Sequence, residues 1–387
     1  MRNASDTTSQ TTTGTTRGTT TARVIRIIQV LAVLGAAVAV LTFPQTGPTP
    51  FIMSVGVVIL SYACMATGWN FVGGFTGYIS LGHAAFTGLG GYAVGLLILR
   101  ADLQPWVALV VAAALVAVLS IPIGFASLRV RGASFVIMSL ALVLIMLLVF
   151  QSWSDVTGGS NGMRVPRPFG PEVLRPEQHE RFYYLHVALL VIMLLAWWAI
   201  DRSRFGAGLK AIREDEDKAQ SLGIPTFNYK LAVYVISAFF TALAGGLYAL
   251  WFGFLDPIFQ FSILTGSYMV LMSLLGGIRS LFGPALGAFI VGYAIEFFKA
   301  QYGDTQFHLV ALGLLLGLVV LFMPEGILPS LGRLLDRLTP GATSIREESA
   351  EELARRRGET GEAPQETTGA SDDESPAELV GENRRTS

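Results

Sequence analysis

Apolar residues in this 387-residue chain fall in long runs rather than at the alternate or every-third-or-fourth spacing of an element with one wet face. A helix needs roughly 20 mainly apolar residues to cross a hydrocarbon core. By that ruler clear spans lie near residues 24–43, 51–67, 106–126, 133–151, 182–200, 230–253 and 306–323. Three more, at 79–99, 262–277 and 282–299, are diluted by glycine. Ten such helices would occupy about half the chain, joined mostly by short loops. The pattern predicts an all-α fold: a polytopic transmembrane helix bundle of about ten spans over residues 23–340. Residues 1–22 and 341–387 are polar, with few large apolar side chains to offset the entropy of ordering. They read as disordered tails.

Composition agrees. Hydrophobic residues make up 52% and charged residues only 14%, against about 25% charged in soluble domains. The formal net charge of -1 is a cancellation: the last 47 residues hold 12 acidic and 6 basic side chains, leaving 21 basic and 16 acidic in the first 340. Nothing in that distribution suits nucleic acid. Positive charge in the loops sets orientation. One set of flanks carries Arg17, Arg23, Arg129, Arg131, Arg202, Arg204, Lys210, Arg213, Lys218, Arg279, Arg333 and Arg337. The other has Arg100 and Lys299 at helix ends and Arg164, Arg167, Arg175 and Arg181 in one loop. Both termini are therefore expected in the cytoplasm of a multi-pass cell-membrane protein, with residues 153–181 outside and 201–229 inside. The first span reads as a retained helix rather than a cleaved leader, because 22 polar residues precede it.

Candidate chemistry is sparse. Cys64 is the single cysteine, which excludes an internal disulfide or a CxxC site, and its apolar setting reads as core. His83, His179, His186 and His308 show no close ligand spacing, so no metal is expected. There is no GxxxxGK[ST] phosphate loop. Carriers driven by protons or ions place ionisable groups at membrane depth; the spans here offer His83, and Glu296 one turn before Lys299. His83 reads as a packed, hydrogen-bonded residue ahead of a proton relay. Glycines crowd at 73, 74, 77, 82, 88, 90, 91 and 95, assigned to the third helix and its approach, and again at 276, 277, 283, 287 and 292. Two readings stand open: close helix packing, or broken or re-entrant helices lining a path. The inside loop, Phe205 to Ile224, carries Leu209, Ile212, Ala219 and Leu222 at helical spacing around the charged run Arg213–Lys218. It predicts a short amphipathic helix, then a turn at Gly223-Ile224-Pro225. That segment is either a solvated loop or a docking element that receives force from a partner.

The run Gly73-Gly74-Phe75-Thr76-Gly77-Tyr78-Ile79-Ser80-Leu81-Gly82-His83-Ala84-Ala85-Phe86 resembles the signature of branched-chain amino acid ABC importer permeases. Arg131-Gly132-Ala133-Ser134-Phe135, Thr157-Gly158-Gly159-Ser160-Asn161-Gly162, the Gly206–Gly223 loop and Gly276-Gly277-Ile278-Arg279-Ser280-Leu281-Phe282-Gly283-Pro284 resemble later motifs of the M-type subunit, in order. The similarity covers about residues 50–325 and departs at Ala133-Ser134, where the family usually has an aromatic.

The resemblance implies an importer with a second, different permease subunit, two cytoplasmic ATP-binding subunits that use ATP and Mg, and an extracytoplasmic solute-binding protein. No cofactor would be bound by this chain itself, which would not be an enzyme. It implies coupling to the ATPases through Gly206, Arg213, Glu214, Asp215, Asp217, Ala219 and Gly223. Thr157, Gly158, Gly159, Ser160 and Asn161 would meet the binding protein, and Gly77, Ser80, Gly82, His83, Gly276 and Gly277 are candidates for the path. The expected substrate is a branched-chain or related amino acid. The alternatives are another small solute, such as urea or a short amide, and a carrier or channel acting alone.

Overall fold

The computed structural model describes residues 35–170, 172–303, 310, 313, 314, 317 and 326–330. Among them it is all-α apart from a two-residue strand pair. Seven helices are long and apolar enough to cross a membrane. These are α1 (Pro50–Thr76), α2 (His83–Ala101), α3 (Pro105–Ser127), α4 (Ala133–Ser152), α5 (Arg175–Asp201), α8 (Thr226–Phe252) and the segment Pro257–Gly276. That last segment is a single turn, Pro257–Gln260, followed by α9 (Ile263–Gly276). Between α5 and α8 lie two short helices, α6 (Arg204–Glu214) and α7 (Glu216–Ser221). The chain continues into α10 (Gly283–Tyr302).

Against the expectation of about ten spans, seven are found among the described residues. Residues 282–299 do form a helix, α10, but it is not among the seven. Of the first span, residues 35–42 are helical and end in a 3₁₀ turn, Phe43–Thr46; 24–34 lie outside the described residues. So do both tails and, apart from four helical positions, the span at 306–323.

The centre of the bundle is α1 and α8. Helix α8 packs on α1, α2 and α3, and α1 on α5, α9 and α10. The approach of α2 to α8 depends on glycine: a Cβ built at Gly90 would lie 2.2 Å from the Ala242 carbonyl oxygen, and one at Gly245 2.3 Å from that of Thr87. Each glycine backs onto the other helix's main chain, the small-residue contact by which helices associate without a hydrophobic driving force between them. The second glycine cluster does the same for α9 and α10, since a Cβ at Gly276 would sit 1.7 Å from the Gly283 carbonyl oxygen. Helix α4 is peripheral; only Phe135, Ser139 and Val143 are buried, and Ile137 and Leu148 are 67% and 62% exposed.

Local chemistry sets the boundaries. Thr49 caps α1, its hydroxyl accepting from the Ile52 N–H, with Pro50 at the first position. The sequence ended this helix at 67, whereas it runs nine residues further. Thr67 through Thr76 are all buried, so packing on every side outweighs the helix cost of Gly68, Gly73 and Gly74. Gly73 and Gly74 therefore form the last turns of α1, not the approach to the next span. The helix stops at Gly77, whose φ of 74° is left-handed and whose N–H reaches the Gly73 carbonyl.

Alternation of the spans puts 77–82, 128–132, 202–225 and 277–282 on one face of the bundle. On the opposite face Met163–Arg164 pairs antiparallel with Phe254–Leu255, with Met163 opposite Leu255 and Arg164 opposite Phe254.

Candidate functional site

Charge collects on the face that holds α6 and α7. Ser203 caps α6 by accepting from the Gly206 N–H at 3.0 Å. Eleven helical residues later Asp215 ends α6 in extended geometry (φ −161°) and starts α7, its carboxylate accepting from the Asp217 and Lys218 N–H groups at 3.1 and 3.0 Å. The Lys218 backbone bond, then its ammonium, hold the Asp215 carboxyl below the usual carboxylate range. The amphipathic segment is thus two helices with a hinge at Asp215, where the sequence predicted one.

The inner edge of this pair grips the bundle. Arg213 donates from Nη1 to the Gly74 carbonyl at 2.7 Å, an acceptor in the last turn of α1. Glu216 receives Tyr78 Oη at 2.9 Å, Lys230 Nζ at 2.5 Å and Arg131 at 3.2 Å. The Lys230 and Glu216 side chains are 3% and 12% exposed. Lys230 also donates to Tyr78 Oη at 3.1 Å and lies 4.9 Å from the centre of its ring. Burial, then the bond to Glu216, raise the Tyr78 phenol above its ordinary range. Arg131 also pairs with Asp217 at 3.0 Å, which raises its guanidinium further. A cavity of about 500 Å³ opens beside this cluster, walled by Gly77, Tyr78, Arg131, Arg213 and Glu216 among others.

The outer edge faces water. Glu214, Asp217 and Gly223 are exposed, and Leu222 is 81% exposed although apolar. Of the seven residues singled out for coupling, then, Glu214, Asp217 and Gly223 lie on the free surface and Asp215 shapes the hinge. Arg213 turns inward, Ala219 is buried, and Gly206 backs onto the bundle, a Cβ there falling 2.0 Å from the Ile200 carbonyl oxygen. Lys230 and Glu216 were not singled out. Among ionisable groups in the spans the sequence points to His83, Glu296 and Lys299, whereas Lys230 stands at the start of the 230–253 run. It lies in the first turns of α8, where the sequence offers only an isolated lysine at a helix start.

The path candidates fall at several separate places in the bundle. Gly77 is the helix stop beside the cavity. Ser80 is buried and its carbonyl takes the Trp69 indole N–H at 2.6 Å. Gly82 precedes α2 and abuts Ser139, a Cβ there lying 3.0 Å from its carbonyl oxygen. His83 is fully buried, its Nε2 2.7 Å from Ser237 Oγ, whose hydroxyl bonds the Gly68 carbonyl. Gly276 and Gly277 end α9, the latter with φ 118°. These positions are helix ends and close crossings. Glu296 and Lys299 pair at 3.0 Å within α10.

On the opposite face Thr157 is buried and its hydroxyl donates to the Phe150 and Trp153 carbonyls at 2.6 and 2.8 Å. Gly159 is buried too; its N–H donates to Thr157 Oγ1 at 3.2 Å. With Gly158, these fold the loop so that Ser160 and Asn161 stand exposed at its tip. Arg100 fixes the loop from α2, donating to the Asp155 and Val156 carbonyls. No group of His, Cys, Asp and Glu among the described residues could hold a metal ion.

Comparison with known proteins bears on this geometry. The High-affinity branched-chain amino acid transport system permease protein LivM of Escherichia coli is 29% identical over 308 residues, 72% of each chain. BraD of Pseudomonas aeruginosa, described as the permease protein of the same kind of system, is 30% identical over 285 residues, 69% of this chain and 91% of its own. LivH of Escherichia coli, likewise described, gives the same figures. No solved structure matches. A family model described as "Branched-chain amino acid transport system / permease component" matches residues 51–323. The seven spans, all but Pro50 of the first, and the inner face fall within that stretch, and the chain belongs to this family of membrane permeases.

Proposed function

We propose that this chain is a permease subunit of an ATP-driven importer, carrying branched-chain or related amino acids inward across the cell membrane. The observation that carries the reading is the family match over residues 51–323, which takes in the seven spans apart from Pro50 and both of the faces described. Its partners are a second permease subunit, two cytoplasmic ATP-binding subunits that hydrolyse ATP with Mg, and an extracytoplasmic binding protein. Relatives named as LivM and as LivH both match, which supports a pair of related but different permeases.

The face with α6 and α7 is then cytoplasmic, as the excess of Lys and Arg there supports. Exposed Glu214, Asp217, Leu222 and Gly223 are the surface offered to an ATP-binding subunit. The tip at Ser160 and Asn161 is offered to the binding protein. Reconstitution of the chain with these partners in liposomes tests the reading. Leucine uptake should require ATP and the binding protein, and excess urea or short amides should leave it unchanged. Uptake by the chain alone, without ATP-binding subunits, would establish a carrier or channel instead.

A further inference from the structure

One largely buried carboxylate on the inner face, 12% exposed, collects three donors from three other parts of the chain. Tyr78 comes from the α1–α2 loop, Arg131 from the α3–α4 loop and Lys230 from α8, and all three reach Glu216, on α7, at 2.9, 3.2 and 2.5 Å. No other carboxylate among the described residues ties together so many separate elements. The geometry is costly to build. Taking an ammonium and a carboxylate out of water costs several kcal/mol per ion, and an apolar pair of similar size often folds as well. A surface loop needing only to stay in place has cheaper means, as Lys218 and Asp215 show with a pair whose lysine is 84% exposed.

We propose that Glu216 is a positioning residue that passes movement of α7 to the membrane-spanning helices, with Lys230 as its link to α8 and Tyr78 as its link to the end of α1. This rests on the importer reading above. Lys230 is one turn into α8, the helix against which α1, α2 and α3 all pack. If α7 is displaced, Lys230 cannot be left behind without stranding a buried charge, so α8 must follow. Arg131 is half-exposed and shared with Asp217; it can let go and rehydrate, which makes the α3–α4 loop the slack side of the node. The link is therefore directional: tight toward α8, loose toward α4.

The test uses the complete importer in liposomes, with leucine uptake and ATP hydrolysis measured together. Glu216→Gln should cut leucine imported per ATP hydrolysed by about tenfold, within the range typical of coupling between distant sites. Stimulation of hydrolysis by the binding protein should weaken in parallel. Glu216→Gln leaves Lys230 buried and unpaired, so assembly could suffer. The double variant Glu216→Gln with Lys230→Met removes both charges and should assemble normally yet stay uncoupled. Arg131→Gln, on the slack side, should couple within twofold of wild type. The inference is overturned if the double variant imports with a wild-type ratio of leucine to ATP, or if it fails to assemble at all, since the pair would then serve folding alone. Failure of the wild-type complex to import with ATP would instead remove the importer reading itself.

Discussion

Replacing Arg213 by alanine isolates the joint between α6 and α1. The last four carbonyls of a helix have no partner within it. At the end of α1 the Gly73 carbonyl is taken by the Gly77 N–H at 3.0 Å, and the Gly74 carbonyl by Arg213 Nη1 at 2.7 Å. A hydrogen bond from a charged donor contributes about 1.5–3 kcal/mol, and a cation at a helix C-terminus adds about 0.3–1 kcal/mol. The Arg213 side chain is only 17% exposed, so water replaces it poorly, and Arg213→Ala should cost about 2 kcal/mol. At about 2–4 °C per kcal/mol, the melting temperature in detergent should fall by several degrees while insertion into the membrane is kept. Arg213→Lys retains the charge near the helix end but not the fixed guanidinium geometry, and should recover about 0.3–1 kcal/mol, the charge–dipole part. Size-exclusion melting curves of the three proteins decide the matter. If Arg213→Ala melts with wild type, or Arg213→Lys melts as low as Arg213→Ala, the joint is not where the structure puts it. In the reconstituted importer the alanine variant should also lose uptake per ATP.

Two further outcomes follow from the same geometry. Gly245→Ala should lower stability by about 1–3 kcal/mol, the usual cost of overpacking, because its Cβ would meet the Thr87 backbone at 2.3 Å; Gly35→Ala, with nothing within 4 Å, should melt no lower than wild type in the same assay. Ser160→Trp at the exposed outer tip should abolish stimulation of ATP hydrolysis by the binding protein while leaving the basal rate unchanged, and normal stimulation would show that the binding protein docks elsewhere.

What the sequence made visible was governed by range. The lengths of apolar runs located α3 and α4 to within about a residue, since a lipid-facing helix is specified by its own side chains. Helix α1 was cut short because Gly68, Gly73 and Gly74 dilute local hydropathy, whereas its continuation depends on neighbours far along the chain. Arg213 read as a coupling residue within a charged run, and its inward hold on α1 stayed hidden because its acceptor is a backbone carbonyl, 139 positions away, which no residue pattern encodes. The Lys230–Glu216 pair was hidden for a related reason: 14 positions and a turn separate the two residues, so helical spacing cannot bring them together. The break at Asp215 was different. Aspartate followed by Glu216 and Asp217 is an N-cap with an acidic first turn, and that signal was available.

Helix α1 runs 27 residues without a proline beyond its first position, a rod of about 40 Å at 1.5 Å per residue. It comes close to α8 at Gly68, where a Cβ would lie 2.7 Å from Thr241 Oγ1. Gly74, the residue Arg213 holds, is about 9 Å from that contact on one side, and Pro50 about 27 Å on the other. Were α1 to turn as a rigid rod about that contact, a shift of about an ångström at Gly74 would carry Pro50 through about 3 Å, the ratio of the two arms at 1.5 Å per residue. The longer of the two arms lies toward the face of the bundle opposite α6.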